Sequence, residues 1–436
     1  MSTKRYFDNH FEDFGPSDGV LDATGDGLNG RVKEDLMKNL TKLLQYLETN
    51  VNKTIDSNDY SVYTGSTGYA LLYLHLSLVF NDHKLLDKAI AYIDPTLKRL
   101  RLKRDDISFL LGDSGVLSIA SVIHDMNGNQ NEGNKSLNVL KSMVKYCTDI
   151  DTKTPDELLY GRSGFLYSLL FVRKFISNSD QIIENNDIRA VVDAIIRSGQ
   201  KTAKKDKTSE RCPLIAVVDA IIRSGQKTAK KDKTSERCPL MYYWYKTPYL
   251  GAAHGLMGIM SLLLEAKSYL TDEELHKCVK PTIDYILSLR LSSGNYPSGL
   301  DDMSDVLVHW CHGSPGAVHL FALAYQVFKE ERYLMAAKDC CECIWKRGLL
   351  RKGYGLCHGT AGNGYAFLRL YQLTGEEKYV FRAVKFGQWC CAYGEHGCRT
   401  PDRPFSMFEG LAGTLYYLTD LLQPKNSRFP AYQLTN

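Results

Sequence analysis

The stretch KGYGLCHGTAGNGYAFLRLY, residues 352–371, joins a GxxG turn, Gly359 to Gly362, to a run that is apolar on almost every side. A helix without a wet face must be covered from all directions, so it belongs inside a larger helical assembly. The same glycine pair returns at Gly65/Gly68, Gly112/Gly115, Gly161/Gly164, Gly255/Gly258, Gly313/Gly316 and Gly410/Gly413, leading into runs such as YALLYLHL from Tyr69 and FLYSLLF from Phe165. First glycines lie 46 to 58 residues apart, the length of a helical hairpin, except for one interval of 94 between Gly161 and Gly255. The segments between are amphipathic: in Arg332–Trp345, Leu334, Ala337, Cys341, Ile344 and Trp345 follow helical spacing, and His83–Leu100 behaves likewise.

Seven apolar helices ringed by seven amphipathic ones predict an all-α fold, a seven-hairpin, double-layered α/α toroid (a closed barrel) with its inner helices reached through GxxG turns. An open solenoid of hairpins is the alternative at this period. Lacking Cβ, the glycines permit a tight turn and close backbone approach. The inner-helix N-termini are expected to gather at one end with N–H groups available to anions.

The long interval holds an exact internal copy. Ala190–Leu214 recurs unchanged as Ala216–Leu240, and dropping one copy brings the spacing toward that of the other repeats. The chain is therefore read as one domain over 1–436. Within 190–240, one copy of the tandem segment is a peripheral insertion or an artefact of the sequence record, and its basic part, KTAKKDKTSER, is a solvated loop. Cys212 and Cys238, paired by duplication alone, are not counted as ligands.

With 436 residues, 44% hydrophobic and 24% charged, the chain can bury a large core, and a net charge of +4 is too mild for a nucleic-acid surface. The opening MSTKRYFDNH has no apolar run or cleavage site, Ser2 gives no myristoylation signal, and no later segment reads as a membrane span. A cytoplasmic location is expected. In that reducing setting the twelve cysteines point to metal binding, catalysis or packing rather than disulfides.

Two CHGxxG elements stand out, in VHWCHGSPG from Val308 and GLCHGTAG from Gly355. One Cys before a glycine turn is ordinarily a small buried side chain. Two Cys-His pairs in the same place of successive repeats instead suggest one metal gripped from neighbouring units, thiolate and imidazole being preferred zinc ligands. The candidates are Cys311, Cys357 and His358 or His312. His254 occupies the same slot before Gly255. Cys340, Cys341, Cys343, Cys390 and Cys391 lie in amphipathic segments and read as packing.

These motifs, with YTGSTGYALLYLHL, LLYGRSGFLYSLLF, LMYYWYKTPYLGAAHGLMGI, SGNYPSG and EHGCRTPDRPFSMFEGLAGT, resemble the LanC-like (lanthionine synthetase C-like) proteins, specifically their eukaryotic cytosolic glutathione-binding branch. The resemblance covers essentially the whole chain apart from one copy of the duplication. It implies the toroid and one Zn2+ held by Cys311, Cys357 and His358, with His312 not a ligand. A fourth position is then left for a thiol, which coordination ionises. It also implies that His254 protonates the enolate formed when the thiolate adds to an unsaturated acceptor. Arg5, Lys352 and Arg399, with Asp402 a weaker candidate, match positions used near glutathione, whose carboxylates suit arginine forks. Arg5 contributes only if the N-terminal tail folds back.

The leading expectation is a zinc-dependent glutathione transferase that adds glutathione thiolate to electrophiles, with dehydroalanine or dehydrobutyrine residues in proteins as favoured acceptors. Kinases and other phosphoproteins are partners by family analogy only. A non-catalytic glutathione sensor or signalling adaptor is the alternative. A prenyltransferase-like enzyme, which would also use an α/α barrel and zinc, is disfavoured because no carboxylate ligand stands out.

Overall fold

A computed structural model describes residues 4–15, 18–51, 56, 58–102, 104–150, 153–208 and 238–435. In chain order its helices are α1 (Gly30–Asn50), α2 (Ser66–Phe80), α3 (His83–Arg99), α4 (Asp113–Met126), α5 (Gln130–Ser142), α6 (Val144–Thr148), α7 (Arg162–Phe175) and α8 (Asn185–Thr208). There follow α9 (Leu256–Glu265), α10 (Lys280–Ser288), α11 (Ser314–Phe328), α12 (Glu331–Arg347), α13 (Thr360–Thr374), α14 (Glu377–Cys391) and α15 (Leu411–Asp420). Extended pairing among the described residues is limited to isolated bridges.

Helices α2, α4, α7, α9, α11, α13 and α15 each begin at a GxxG turn, and each packs on the next, with α15 returning to α2. This closure rules out the open solenoid. The outer layer is α3, α5, α8, α10, α12 and α14, each against the inner helix before it, while α1 covers α15. The burial pattern follows the sequence pattern. In α2 nearly every residue from Ser66 to Ser77 is buried, whereas α3 buries one stripe, Leu86, Ala89, Ile93 and Thr96. Cys340, Cys341, Cys343 and Cys390 are buried in α12 and α14, where burial raises each thiol's pKa and makes it inert.

The second glycine of each turn has a steric reason. A Cβ there would meet the carbonyl oxygen six residues upstream: 1.8 Å at Gly362 (Leu356 O), 1.9 Å at Gly115 (Phe109 O) and 2.5 Å at Gly316 (Trp310 O). The obstacle is backbone, which cannot swing away. Gly362→Ala is therefore expected to cost on the order of 3 kcal/mol, whereas Gly30→Ala, with nothing within 4 Å of the new methyl, should be neutral. Urea midpoints of the two variants check this.

The first turns differ from expectation. Their N-termini do share one end of the ring, but the first N–H of each helix is already taken. Ser66, Asp113, Arg162, Leu256, Thr360 and Leu411 N donate to the carbonyls of Asp59, Asp106, Pro155, Tyr249, Gly353 and Pro404 in the loop before each helix. Ser314 N instead donates to Asn295 Oδ1 at 2.8 Å. A backbone donor already paired is not an anion site.

At the opposite end the C-terminal segment turns back into the ring. Phe429 stacks on Trp310 at 4.8 Å, and the Tyr432 hydroxyl lies 2.8 Å from Ser261 Oγ. Glu265 accepts from Leu434 N at 2.9 Å and Thr435 N at 3.2 Å. The axis is thus filled below the turns. Of the duplicated segment, residues 190–208 form most of α8, and buried Cys238 and Leu240 lie at the return of the chain, where Met241 N reaches Gly199 O at 3.3 Å. The remainder, 209–237, with Cys212 and the rest of the proposed insertion, falls outside the described residues.

Candidate active site at the mouth of the ring

Two positions before each first glycine lie Tyr63, Leu110, Leu159, Ala253, Cys311, Cys357 and Phe408. The loops that carry them form a closed chain of hydrogen bonds. Phe408 N donates to Tyr63 O (3.0 Å), Cys357 N to Phe408 O (2.8 Å), Cys311 N to Cys357 O (3.2 Å) and Ala253 N to Cys311 O (3.5 Å). Leu158 N then donates to Ala253 O (3.2 Å), Ser108 Oγ to Leu159 O, and Tyr63 N to Leu110 O (3.0 Å). Equivalent slots of successive repeats therefore become neighbours around the mouth.

This places Cys311 beside Cys357. Their sulfurs and one His358 ring nitrogen all lie within 4.8 Å of one another, and His312 is not in that group. Two polar anchors hold the turns. Fully buried Asn295 accepts from the Ser314 amide and hydroxyl and donates to Leu307 O at 2.9 Å. Asn363 donates to Val308 O at 2.9 Å, tying the second CHG turn to the first.

Burial disfavours a Cys357 thiolate, yet hydrogen bonds from Cys311, His358 and Tyr63, together with the His358 charge, hold its pKa well below the usual range. The complement is a Cys311 thiol pushed up by its bond to Cys357 and by burial. Burial opposes the His358 imidazolium, but the Cys357 charge raises its pKa. A buried pair of sulfurs that already stabilises negative charge beside an imidazole is a fitting donor set for zinc, one donor short of a tetrahedral shell.

His254 stands one place before Gly255, beside His312, with ring centroids 6.4 Å apart. Its Nδ1 is 2.9 Å from Oε2 of Glu157, which is 2% exposed and also accepts from Leu159 N at 2.8 Å and Tyr160 N at 2.7 Å. An acceptor this engaged requires Nδ1 to be the donor, so Nε2 is the nitrogen left for chemistry. Tyr160 and Trp244 lie parallel to the imidazole at 6.1 and 6.0 Å.

The N-terminal tail does fold back. Phe7 N donates to Leu349 O at 2.7 Å, Arg351 N to Arg5 O at 3.1 Å, and Arg399 N to Arg351 O at 2.8 Å. Arg5, Lys352 and Arg399 thus share one ribbon beside the second CHG turn. Burial pushes His309 down to about 3, helped by the charges of His358, His312, Lys352 and Arg5, so the ribbon's charges reach this side of the cluster. Arg399 pairs with Asp402 at 3.3 Å, both exposed, a contact of small energetic weight.

Glu157, Tyr63 and the aromatic neighbours of His254 were not singled out in the sequence. The available signal was the slot rule itself: aligning the turns puts Tyr63 in the register of Cys311 and Cys357. Glu157 lies four places before Gly161, as His309 does before Gly313.

The family model described as "Lanthionine synthetase C-like protein" matches residues 56–434. A curated relative from Danio rerio, "Glutathione S-transferase LANCL1", is 39% identical over 437 aligned positions that span all of both chains. Among solved structures, "Nisin cyclase" superposes with a TM-score of 0.60 at 18% identity, covering 90% of this chain and 94% of that one, which supports the fold. No helix of the described residues is long and apolar enough to cross a membrane. With a full-length relative and a family match over most of its residues, this chain belongs to the lanthionine synthetase C-like family.

Proposed function

We propose that the chain is a zinc-dependent glutathione transferase that adds the glutathione thiol across the double bond of dehydroalanine or dehydrobutyrine residues in proteins. The observation that carries this reading is the Cys311–Cys357–His358 cluster, set between the cationic ribbon and His254. The name of the Danio rerio relative supports the glutathione part.

Zinc held by Cys311, Cys357 and His358 would supply a Lewis acid that ionises a bound thiol near neutral pH. Arg5, Lys352 and Arg399 favour the two carboxylates of glutathione at the near side of the cluster, and Asp402 suits its ammonium. The sulfur lone pair forms a C–S bond to the acceptor β-carbon while the π electrons move toward the carbonyl. His254 delivers a proton from Nε2 to the α-carbon, and Glu157 holds the imidazolium in register. The thiol proton lost and the α-proton gained balance, so the reaction is a net addition with no leaving group.

The test is adduct formation on a dehydroalanine peptide, followed by mass spectrometry with metal-quantified protein. A rate well above that of free glutathione supports the transferase. Binding of zinc and glutathione with a rate equal to the uncatalysed one would replace it with a glutathione sensor or adaptor.

A further inference from the structure

Two exposed large aromatic side chains lie together beside His254. Tyr160 is 43% exposed and Tyr245 83%. Trp244 links them: its ring stacks on Tyr160 at 5.1 Å and meets Tyr245 edge-on at 4.5 Å. Tyr249 extends the surface to His254 at 5.9 Å and to His312 at 5.5 Å. Tyr245 and Lys246 form a two-residue turn closed by hydrogen bonds in both directions between Trp244 and Thr247, each 3.0 Å. Both turn residues have positive φ, 47° and 68°, a conformation costly for side chains of this size. The chain accepts that cost to hold an aromatic ring almost wholly in water.

Around the mouth, these aromatics belong to the third and fourth turns, whereas the cationic ribbon lies by the sixth and seventh. His254 and His312 stand between them. Glutathione, with two carboxylates and an ammonium, matches the cationic side and offers nothing for stacked tyrosines. The aromatic side is contiguous with the nitrogen that must face the acceptor's α-carbon.

We infer that Tyr160, Trp244 and Tyr245 form a ledge that binds the protein acceptor through an aromatic or bulky apolar side chain next to its dehydroamino acid. This rests on the transferase reading and adds the sequence context of its substrate. Tyrosine and tryptophan are the residues that carry binding energy at recognition surfaces, because they offer large contact area with few rotatable bonds.

The experiment uses the full-length, metal-loaded chain and two fluorescent peptides that carry alanine in place of dehydroalanine. They differ only in the neighbouring residue, phenylalanine or serine. Fluorescence anisotropy is expected to give about ten-fold tighter binding of the phenylalanine peptide, a preference of ~1.4 kcal/mol. Tyr245→Ala should erase the preference and Tyr245→Phe should keep it, with circular dichroism confirming that both variants fold. Equal binding of the two peptides to the unmodified chain, or an undiminished preference in folded Tyr245→Ala, overturns the ledge. The dehydroalanine versions separate the two readings. A preference without accelerated adduct formation leaves the ledge standing and removes the transferase, whereas accelerated addition without preference removes the ledge alone.

Discussion

Cys357→Ala is expected to lose both bound metal and glutathione addition, while the fold survives. The sulfur sits at the centre of the cluster, tied to Cys311, His358 and Tyr63, so its removal takes away the group around which the other two converge. A thiol with a pKa near 8.5 is only about 3% ionised at pH 7, so loss of activation alone implies roughly a thirty-fold fall in rate. Loss of positioning adds to this. Zinc content by mass spectrometry should drop from about one per chain to near zero, and the adduct rate should approach that of free glutathione. His312→Asn is the informative companion. Its ring stands outside the cluster, so that variant should retain metal, and metal loss there would assign the ligands differently.

The second large effect is at His254. His254→Asn should keep metal and glutathione binding yet slow addition by roughly 10²- to 10⁴-fold, the usual weight of a positioned general acid. Glu157→Gln should give a smaller loss, because the amide can still accept from Nδ1 but no longer balances the imidazolium charge. Single-turnover rates with saturating glutathione separate this chemical defect from weakened binding. A His254→Asn protein as fast as the parent removes the histidine from the mechanism.

Much of this architecture is legible in the sequence because each repeat obeys the same local constraint. A carbonyl oxygen within 2.5 Å of where a Cβ would stand at Gly68, Gly115, Gly164, Gly258, Gly316, Gly362 and Gly413 forces the same glycine seven times, and a forced residue leaves a readable period. The inner and outer layers follow from which helices have a wet face. The pairing of Cys311 with Cys357 is legible for the same reason, since equal offsets in adjacent repeats become adjacent positions on the ring.

What was not legible depends on contacts between positions with no common period. Glu157 shares a slot with His309, but its bond to His254 spans 97 residues and no period pairs those two positions. The C-terminal segment carries no repeat signature, yet Phe429 and Tyr432 fill the axis. The expected anion site is narrowed for a physical reason: at six turns a loop carbonyl occupies the first N–H of the helix, and at Ser314 the Asn295 side chain does so. In the proposed reading, the cations on the folded-back tail and beside the second CHG turn carry that role.

The most direct test of the account is the proton released when glutathione binds the metal-replete chain at pH 7, measured by titration calorimetry in buffers of different ionisation enthalpy. Glutathione enters the site as a thiolate in this account, so close to one proton per ligand is expected. S-methylglutathione, which has no thiol to ionise, should bind more weakly and release none. Glutathione binding without proton release, or with an affinity equal to that of the S-methyl derivative, would contradict the assignment of this mouth as a thiol-activating site.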